Sequence, residues 1–322
     1  MEGVKIIRRP KLKNPCLIAA WPGMGEVAFR AASYLVERLK AVEFAELLPE
    51  EFFYLTASTI QQGLLRLPEL PVGKFYYWKN PVKQDLIIFV SSAQPDLTKA
   101  DTYCKRIIQA VKSLGVKTAV GFAAMPMPID HIQEPGAWFS ATSKVWHEAL
   151  KKQGLKTMSE GQISGMNGLF LGMAKKEGLD GFCLLGEIPL YTIQVENPKA
   201  SQAVLKALGN ILHIQLDLSG LLEQAVTMEE EINKLLDYLK LGPQMQQGPI
   251  GDEEIEKIKK SLSQLTKLPA SVKQKIEKLF SEAKTDLSKA NTLKVELDKW
   301  SAYKEYEDRF LDLFKNSKEK GN

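Results

Sequence analysis

The stretch Cys16-Leu17-Ile18-Ala19-Ala20-Trp21-Pro22-Gly23-Met24-Gly25-Glu26-Val27-Ala28 decides the fold class. Its first five residues are uniformly apolar, the pattern of a strand covered on both faces. The rest contains G-x-G-x-x-A and opens a helical pattern, so a buried strand passes through a tight turn into a helix. Further apolar runs of the same kind lie at 85–90, 117–122 and 181–185, with helical periodicity over roughly 25–40, 97–114, 140–153, 166–177 and 198–213. This alternation predicts an α/β fold, a mostly parallel sheet with helices on both faces. Between about 50 and 80 the rhythm changes. Leu64-Leu65-Arg66-Leu67-Pro68 and Lys74-Phe75-Tyr76-Tyr77-Trp78-Lys79 read as two strands of a hairpin-like insertion.

Past Gly220 the pattern turns wholly helical, which divides the chain into an α/β domain at 1–220 and a helical, partly coiled-coil-like extension at 221–322. Leu221, Ala225, Met228, Ile232, Leu235 and Leu239 follow heptad spacing, which keeps one seam toward a partner helix. Glycine and proline at 242–243 and 248–251 break the chain, and Asp252 then caps a predicted helix striped by Ile255, Ile258, Leu262 and Leu265. A longer helix is predicted from Ser271 to about Lys315, striped by Ile276, Leu279, Ala283, Leu287, Ala290, Leu293, Leu297 and Trp300. Such a seam suits packing on the chain's own domain or contact between subunits.

Composition narrows the function classes. With 43 Lys+Arg against 39 Asp+Glu in 322 residues, the net charge of +4 is too small to argue for nucleic acid or an anionic membrane. No apolar run reaches the roughly 18–20 residues that a membrane span needs, and the first ten residues lack the apolar core of a secretory signal. Cys16, Cys104 and Cys183 are odd in number and far apart, and His131, His147 and His213 share no ligand spacing, so neither disulfides nor a metal is expected. A reducing cytoplasm is the expected compartment.

Sites in open α/β sheets form outside the carboxyl ends of strands, which points to four loops. The first is Trp21-Pro22-Gly23-Met24-Gly25, read as a bare strand-to-helix turn, a ligand or partner contact, or a dinucleotide site. The others carry Gln94-Pro95, Met125-Pro126-Met127-Pro128 with His131, and Gly186-Glu187-Ile188-Pro189. Glu187 is the strongest acid candidate, read alternatively as a salt-bridge or helix-cap residue; His131 is a base or a solvated surface group. In Gly161-Gln162-Ile163-Ser164-Gly165-Met166-Asn167-Gly168, glycines at 165, 168 and 172 share one helical face. They let a helix approach the sheet closely or, alternatively, let the 164–168 amides hold an anion. No Walker lysine, nucleophile elbow or Ser–His–Asp set accompanies these turns, so no catalytic residue and no cofactor is assigned.

Taken together, Trp21–Gly25, Gln94-Pro95, 125–128, 161–165 with Asn167-Gly168, and 185–189 resemble the proteasome assembly chaperone type-two family over about residues 1–220. The resemblance implies a fold like nucleoside phosphorylases and hydrolases, homo-oligomers with a trimer favoured, a protein client, and assembly rather than catalysis. It assigns no catalytic residue; some relatives carry an ATP-grasp ligase label, for which this chain shows no lysine and acid set. Relatives that dock on proteasome rings can use a C-terminal hydrophobic–Tyr–any tail. The sequence here closes on Lys318-Glu319-Lys320-Gly321-Asn322, which does not match it. The competing expectation is a small-molecule enzyme or sensor of phosphorylase type, in which the glycine turns hold phosphate and Glu187 a sugar or base. The lack of a basic residue in either turn favours assembly.

Overall fold

A computed structural model describes residues 3–55, 58–241, 270–299 and 302–318. The strands are β1 (Val4–Ile6), β2 (Cys16–Ala20), β3 (Val42–Leu47), β4 (Thr59–Gln61), β5 (Leu64–Arg66), β6 (Gly73–Trp78), β7 (Leu86–Val90), β8 (Thr118–Met127), β9 (Ala137–Ala141), β10 (Lys156–Thr157) and β11 (Asp180–Pro189). Nine of them form one sheet in the order β1-β3-β6-β7-β2-β8-β11-β9-β10. Its centre, β7-β2-β8-β11, is parallel. The flanks are mixed: β6 runs against β3 and β7, and β9 against β11.

Side chains alternate between two cores. Cys16, Ile18 and Ala20 of β2 face one, while Leu17, Ala19 and Trp21 face the other. Helices α1 (Val27–Arg38) and α5 (Pro198–Leu212) cover the first face. Helices α2 (Ala100–Lys112) and α4 (Met166–Lys176) cover the second. Strands β2 and β7 are therefore apolar throughout, and β8 and β11 are so over most of their length, as the absence of alternation predicts. Helix α3 (Lys144–Lys152) connects β9 to β10, its N-terminus capped by the Ser143 side chain.

The three cysteines lie inside these cores as free thiols, and burial pushes each up to about 12. Among the described residues no helix is long and apolar enough to cross a membrane. No group of three or more His, Cys, Asp or Glu among them is placed to hold a metal ion.

The insertion differs from expectation. Its two predicted strands do not pair with each other: β5 pairs with β4 in a separate hairpin, and β6 joins the main sheet between β3 and β7. The third and fourth apolar runs also continue further than read, to Met127 and Pro189, so Met125, Pro126 and Glu187 are strand residues rather than loop residues. Beyond Gly121, β8 is paired on one side only, with β11, because β2 ends level with it. Proline is admissible there, since its missing N–H leaves no ladder bond broken on the open side.

Helix α6 (Ser219–Leu241) continues the α/β core: Leu221 and Ala225 are fully buried and α6 packs along α5. The packed stripe then drifts from the heptad, with Leu236 buried and Leu235 58% exposed, as in a straight helix of 3.6 residues per turn. The single long helix predicted from Ser271 is instead three: α7 (Ala270–Thr285), α8 (Ala290–Lys299) and α9 (Tyr303–Lys318). Asp286 breaks the first two apart by capping a short turn through the Ser288 N–H at 3.0 Å. Leu287 is correspondingly exposed, while Phe280, Tyr306, Phe310 and Leu313 supply buried contacts that the stripe omits. The breaks at 242–243 and 248–251, the predicted Asp252-capped helix with its stripe, Trp300 and the final residues lie outside the described residues.

Candidate functional site

Strands β8 and β11 overshoot β2 at their carboxyl ends, and from β2 and β8 the chain goes on to strands toward opposite edges of the sheet, β3 and β9. That is a topological switch point, where such folds place their clefts. The notch above β2 is occupied by the glycine turn. Gly23 is extended, whereas Gly25 has φ +60° and Glu26 φ +51°, both left-handed. A Cβ on Gly25 would also approach Asn197 and Ile188 at 3.3 and 3.4 Å.

The polar side chains around this turn brace backbone. Asn167, buried on α4, accepts from the Trp21 N–H at 3.0 Å and donates to the Trp21 carbonyl at 2.9 Å, continuing the strand as a surrogate peptide. Gln94 donates to the Pro22 carbonyl at 2.8 Å and accepts from the Met166 N–H at 3.1 Å. The Gly25 N–H donates to the Ile193 carbonyl at 2.8 Å, and the Gly168 N–H to the Gly165 carbonyl at 3.3 Å. The amides of Gly25, Met166 and Gly168, which an anion in these turns would draw on, thus already have partners inside the fold.

Glu187, 8% exposed, accepts from the Gly136 N–H and from Trp138 Nε1, both at 2.6 Å. It ties the start of β9 to β11, which is neither the salt bridge nor the helix cap of the alternative reading. A Cβ at Gly136 would crowd this carboxylate at 3.0 Å. His131 is buried rather than solvated. Its ring nitrogens stand 2.8 Å from the Tyr191 hydroxyl and 3.0 Å from Asn233 Oδ1 of α6, with Asp130 at 3.0 Å.

The second glycine segment packs differently from its reading. Gly165, with φ +70°, starts α4, and a Cβ there would strike Gln94 at 2.7 Å. Gly168 is pressed against the carbonyl of Ile163 in its own preceding loop, and Gly172 faces open space. Close approach of α4 to the sheet is provided instead by Gly121 on β8, where a Cβ would meet Leu171 at 3.0 Å.

These elements surround a cavity of about 420 Å³. Of the expected rim, Gly23, Met24, Gln94, Met125, Pro126, Gly165 and Asn167 line it. Trp21 sits fully buried between Phe89 and Phe170, with ring centroids at 5.5 and 5.3 Å. Pro22, Gly25, Pro95, Pro128, Gly168 and Glu187 stand behind or beside the wall. The sequence reading missed Trp138, Met158 and Glu296 of α8, which complete it. Only the wall from β10 onward adjoined a noted motif, and nothing in the sequence links Glu296 to the sheet edge.

Residues 17–236 match the sequence profile of the PAC2 family. The chain belongs to the PAC2 family. An uncharacterized relative, MJ1210 of Methanocaldococcus jannaschii, is 28% identical over 252 residues, 73% of this chain and 90% of that one. The crystal structure of Pyrococcus furiosus PbaB, described as an archaeal proteasome activator, is 29% identical with a TM-score of 0.62, covering 72% of this chain and 97% of PbaB. P. furiosus PbaA, an archaeal homolog of proteasome-assembly chaperone, shares the fold at 23% identity and a TM-score of 0.57, covering 83% and 100%. The PAC2 profile runs past Gly220 into α6, as the packing of Leu221 and Ala225 does.

Proposed function

We propose that this chain is a non-catalytic, homo-oligomeric assembly chaperone or scaffold that uses the carboxyl-edge rim to hold a protein partner. The observation that carries the reading is the use of the rim's polar groups. Asn167, Gln94 and Glu187 each satisfy two partners within the fold, and the described residues that line the cavity include no His, Cys, Lys or Arg. Chemistry at such a site would require at least one reactive group within hydrogen-bond reach of a substrate. Membership of the PAC2 family and the likeness to PbaB, a proteasome activator, support assembly or activation of a proteasome as the context. A trimer is the form that the family resemblance favours, and the unpaired cysteines favour a reducing cytoplasm as its place.

The test mixes the purified full chain with proteasome α-subunits and with assembled core particles of its own host, followed by native mass spectrometry and peptidase assays. A defined complex, or a changed yield or activity of core particles, is expected. Absence of any complex with either species, from a chain shown to be folded, would overturn the proteasome context. A monomeric mass would overturn the oligomer.

A further inference from the structure

We propose that the amino-terminal edge of the sheet, opposite the rim, carries a row of cations that binds the phosphodiester backbone of duplex nucleic acid without regard to sequence. This surface lies beyond the protein-binding rim and uses different residues.

Topology builds the row. The chain from β1 to β2 passes along the amino-terminal edge, because β3, β6 and β7 lie between those two strands in the sheet. It carries Arg8, Arg9, Lys11 and Lys13, all exposed. Strand β6 runs against β7, so the loop joining them turns at the same edge and adds Lys79 and Lys83. Lys117, just before β8, extends the row by one strand. These three are exposed as well. Buried Asp85 fixes the arrangement from inside, accepting from the Lys13 N–H at 2.6 Å and the Asn80 N–H at 2.9 Å. With neighbouring strands about 4.8 Å apart, the row from β1 to β8 is about 24 Å long.

The fold makes no use of these charges. None of the seven side chains is in an ion pair with another described residue. Other cations at this end have duties. Arg38, Lys112, Lys175 and Lys176 sit in the last turns of their helices, where they offset the negative ends of the helix dipoles. Nearby acids are engaged, Glu43 by Lys74 and Asp180 by Lys175, while Glu37 and Glu177 lie in the helix layers. The net charge of only +4 conceals the row, because acids elsewhere in the chain offset it.

The partner follows from three observations. Five of the seven cations are lysine, which protein interfaces disfavour, whereas nucleic-acid interfaces are far more positively charged. An anionic bilayer laid on this end would meet the negative ends of α1, α2, α4 and α5, all of which finish here. Ile7 and Val82, the exposed aliphatic side chains beside the row, give little apolar area for insertion. A linear polyanion lying along the strand row avoids the helix ends. Duplex backbone carries one phosphate per about 3.4 Å of each strand, so the row matches about seven phosphates. The nearest aromatic rings, Tyr76, Tyr77 and Trp78, pack on the two cores and leave unpaired bases nothing to stack on. That favours a duplex over single strands.

The experiment follows the fluorescence anisotropy of two short labelled DNA duplexes of unrelated sequence, titrated with the full chain over about 50–200 mM salt. Both should bind equally, and affinity should fall about a thousandfold or more across that range, as six or more phosphate contacts require. Arg9→Gln, Lys11→Gln and Lys83→Gln together should make the slope of log affinity against log salt shallower by about 3, roughly one per contact. The triple variant should melt with the parent, since these side chains hold no described partner. Arg66→Gln with Lys99→Gln, on the opposite edge, should leave the slope unchanged. Polyglutamate, and vesicles of phosphatidylglycerol with phosphatidylcholine, are the competitors, and neither should displace the duplex at equal anionic charge.

No binding at the lowest salt, or a parent-like slope in the folded triple variant, would overturn the proposal. Displacement by polyglutamate would make the edge a site for acidic polypeptide, and displacement by vesicles a membrane contact; either result overturns it. The protein-binding rim is tested separately, by complex formation with proteasome subunits.

Discussion

At the sheet edge, Asn167 closes both backbone groups of Trp21 inside the core, and Gln94 bridges two loops. In the tail, polar contacts join exposed side chains: Lys278 to Glu160 at 3.2 Å, and Arg309 to Glu277 at 2.7 and 2.8 Å. The first kind of bond, where Asn167 makes it, cannot be lost without leaving a buried group unpaired, which costs about 1–3 kcal/mol for each group. The second exchanges readily with water and contributes about 0–1 kcal/mol. The edge is therefore a frame braced by polar bonds, and the tail is a wall held by its buried apolar side chains rather than by its ion pairs.

The largest effect that would sharpen this comparison is a cut through α6. A chain ending after Leu241 keeps Leu221 and Ala225 against α5, whereas one ending after Gly220 loses both from the core. A fully buried leucine contributes about 1.5–3 kcal/mol and an alanine methyl about 0.8 kcal/mol, so thermal unfolding should show the longer chain cooperative and the shorter one melting well below it. Equal melting temperatures would move the structural boundary back to Gly220.

Within the frame, Asn167→Leu leaves the Trp21 N–H and carbonyl without partners, an expected loss of about 1–3 kcal/mol for each. Gly25→Val forces a β-branched residue into φ +60° and should lose about 1–3 kcal/mol, read by denaturant unfolding. By contrast, Lys278→Ala should lower stability by less than ~1 kcal/mol. If it matched Asn167→Leu, the distinction between frame and wall would fail.

The smallest effects have opposite signs with pH. Burial, with Glu196 nearby, raises the Glu26 carboxyl above its ordinary value, so its ionised form is disfavoured in the fold. Glu26→Gln should raise the melting temperature at neutral pH, and the gain should fade as pH falls toward the carboxylate range. The Arg309 guanidinium lowers the Glu277 carboxyl, so that contribution is present above the ordinary carboxylate value and lost on acidification. Glu277→Gln should therefore be destabilising at neutral pH and converge with the parent in acid.

How much the sequence announced follows from the same contrast. Strands such as β2 were legible because both faces are buried, leaving every residue apolar. Pro126 and Pro189 concealed the overshoot of β8 and β11, since proline reads as a stop wherever its neighbours are unknown. The hairpin of β4 and β5 escaped because Gln62-Gly63 places a turn inside what seemed one approach to a strand. Asn167 and Gln94 were flagged by their surroundings, but their bracing bonds span 146 and 72 residues and have no local signature. Glu296 entered the pocket wall through tertiary packing alone.

The central claim, that this edge holds protein rather than phosphate or nucleoside, is tested most directly by calorimetric melting of the full chain with millimolar phosphate, nucleosides and nucleotides. A ligand at about 100 times its dissociation constant would add roughly 2.7 kcal/mol of stability. The account predicts an unchanged melting temperature with all of them. A clear rise with any one, abolished by Glu187→Ala in a variant that still folds, would contradict it.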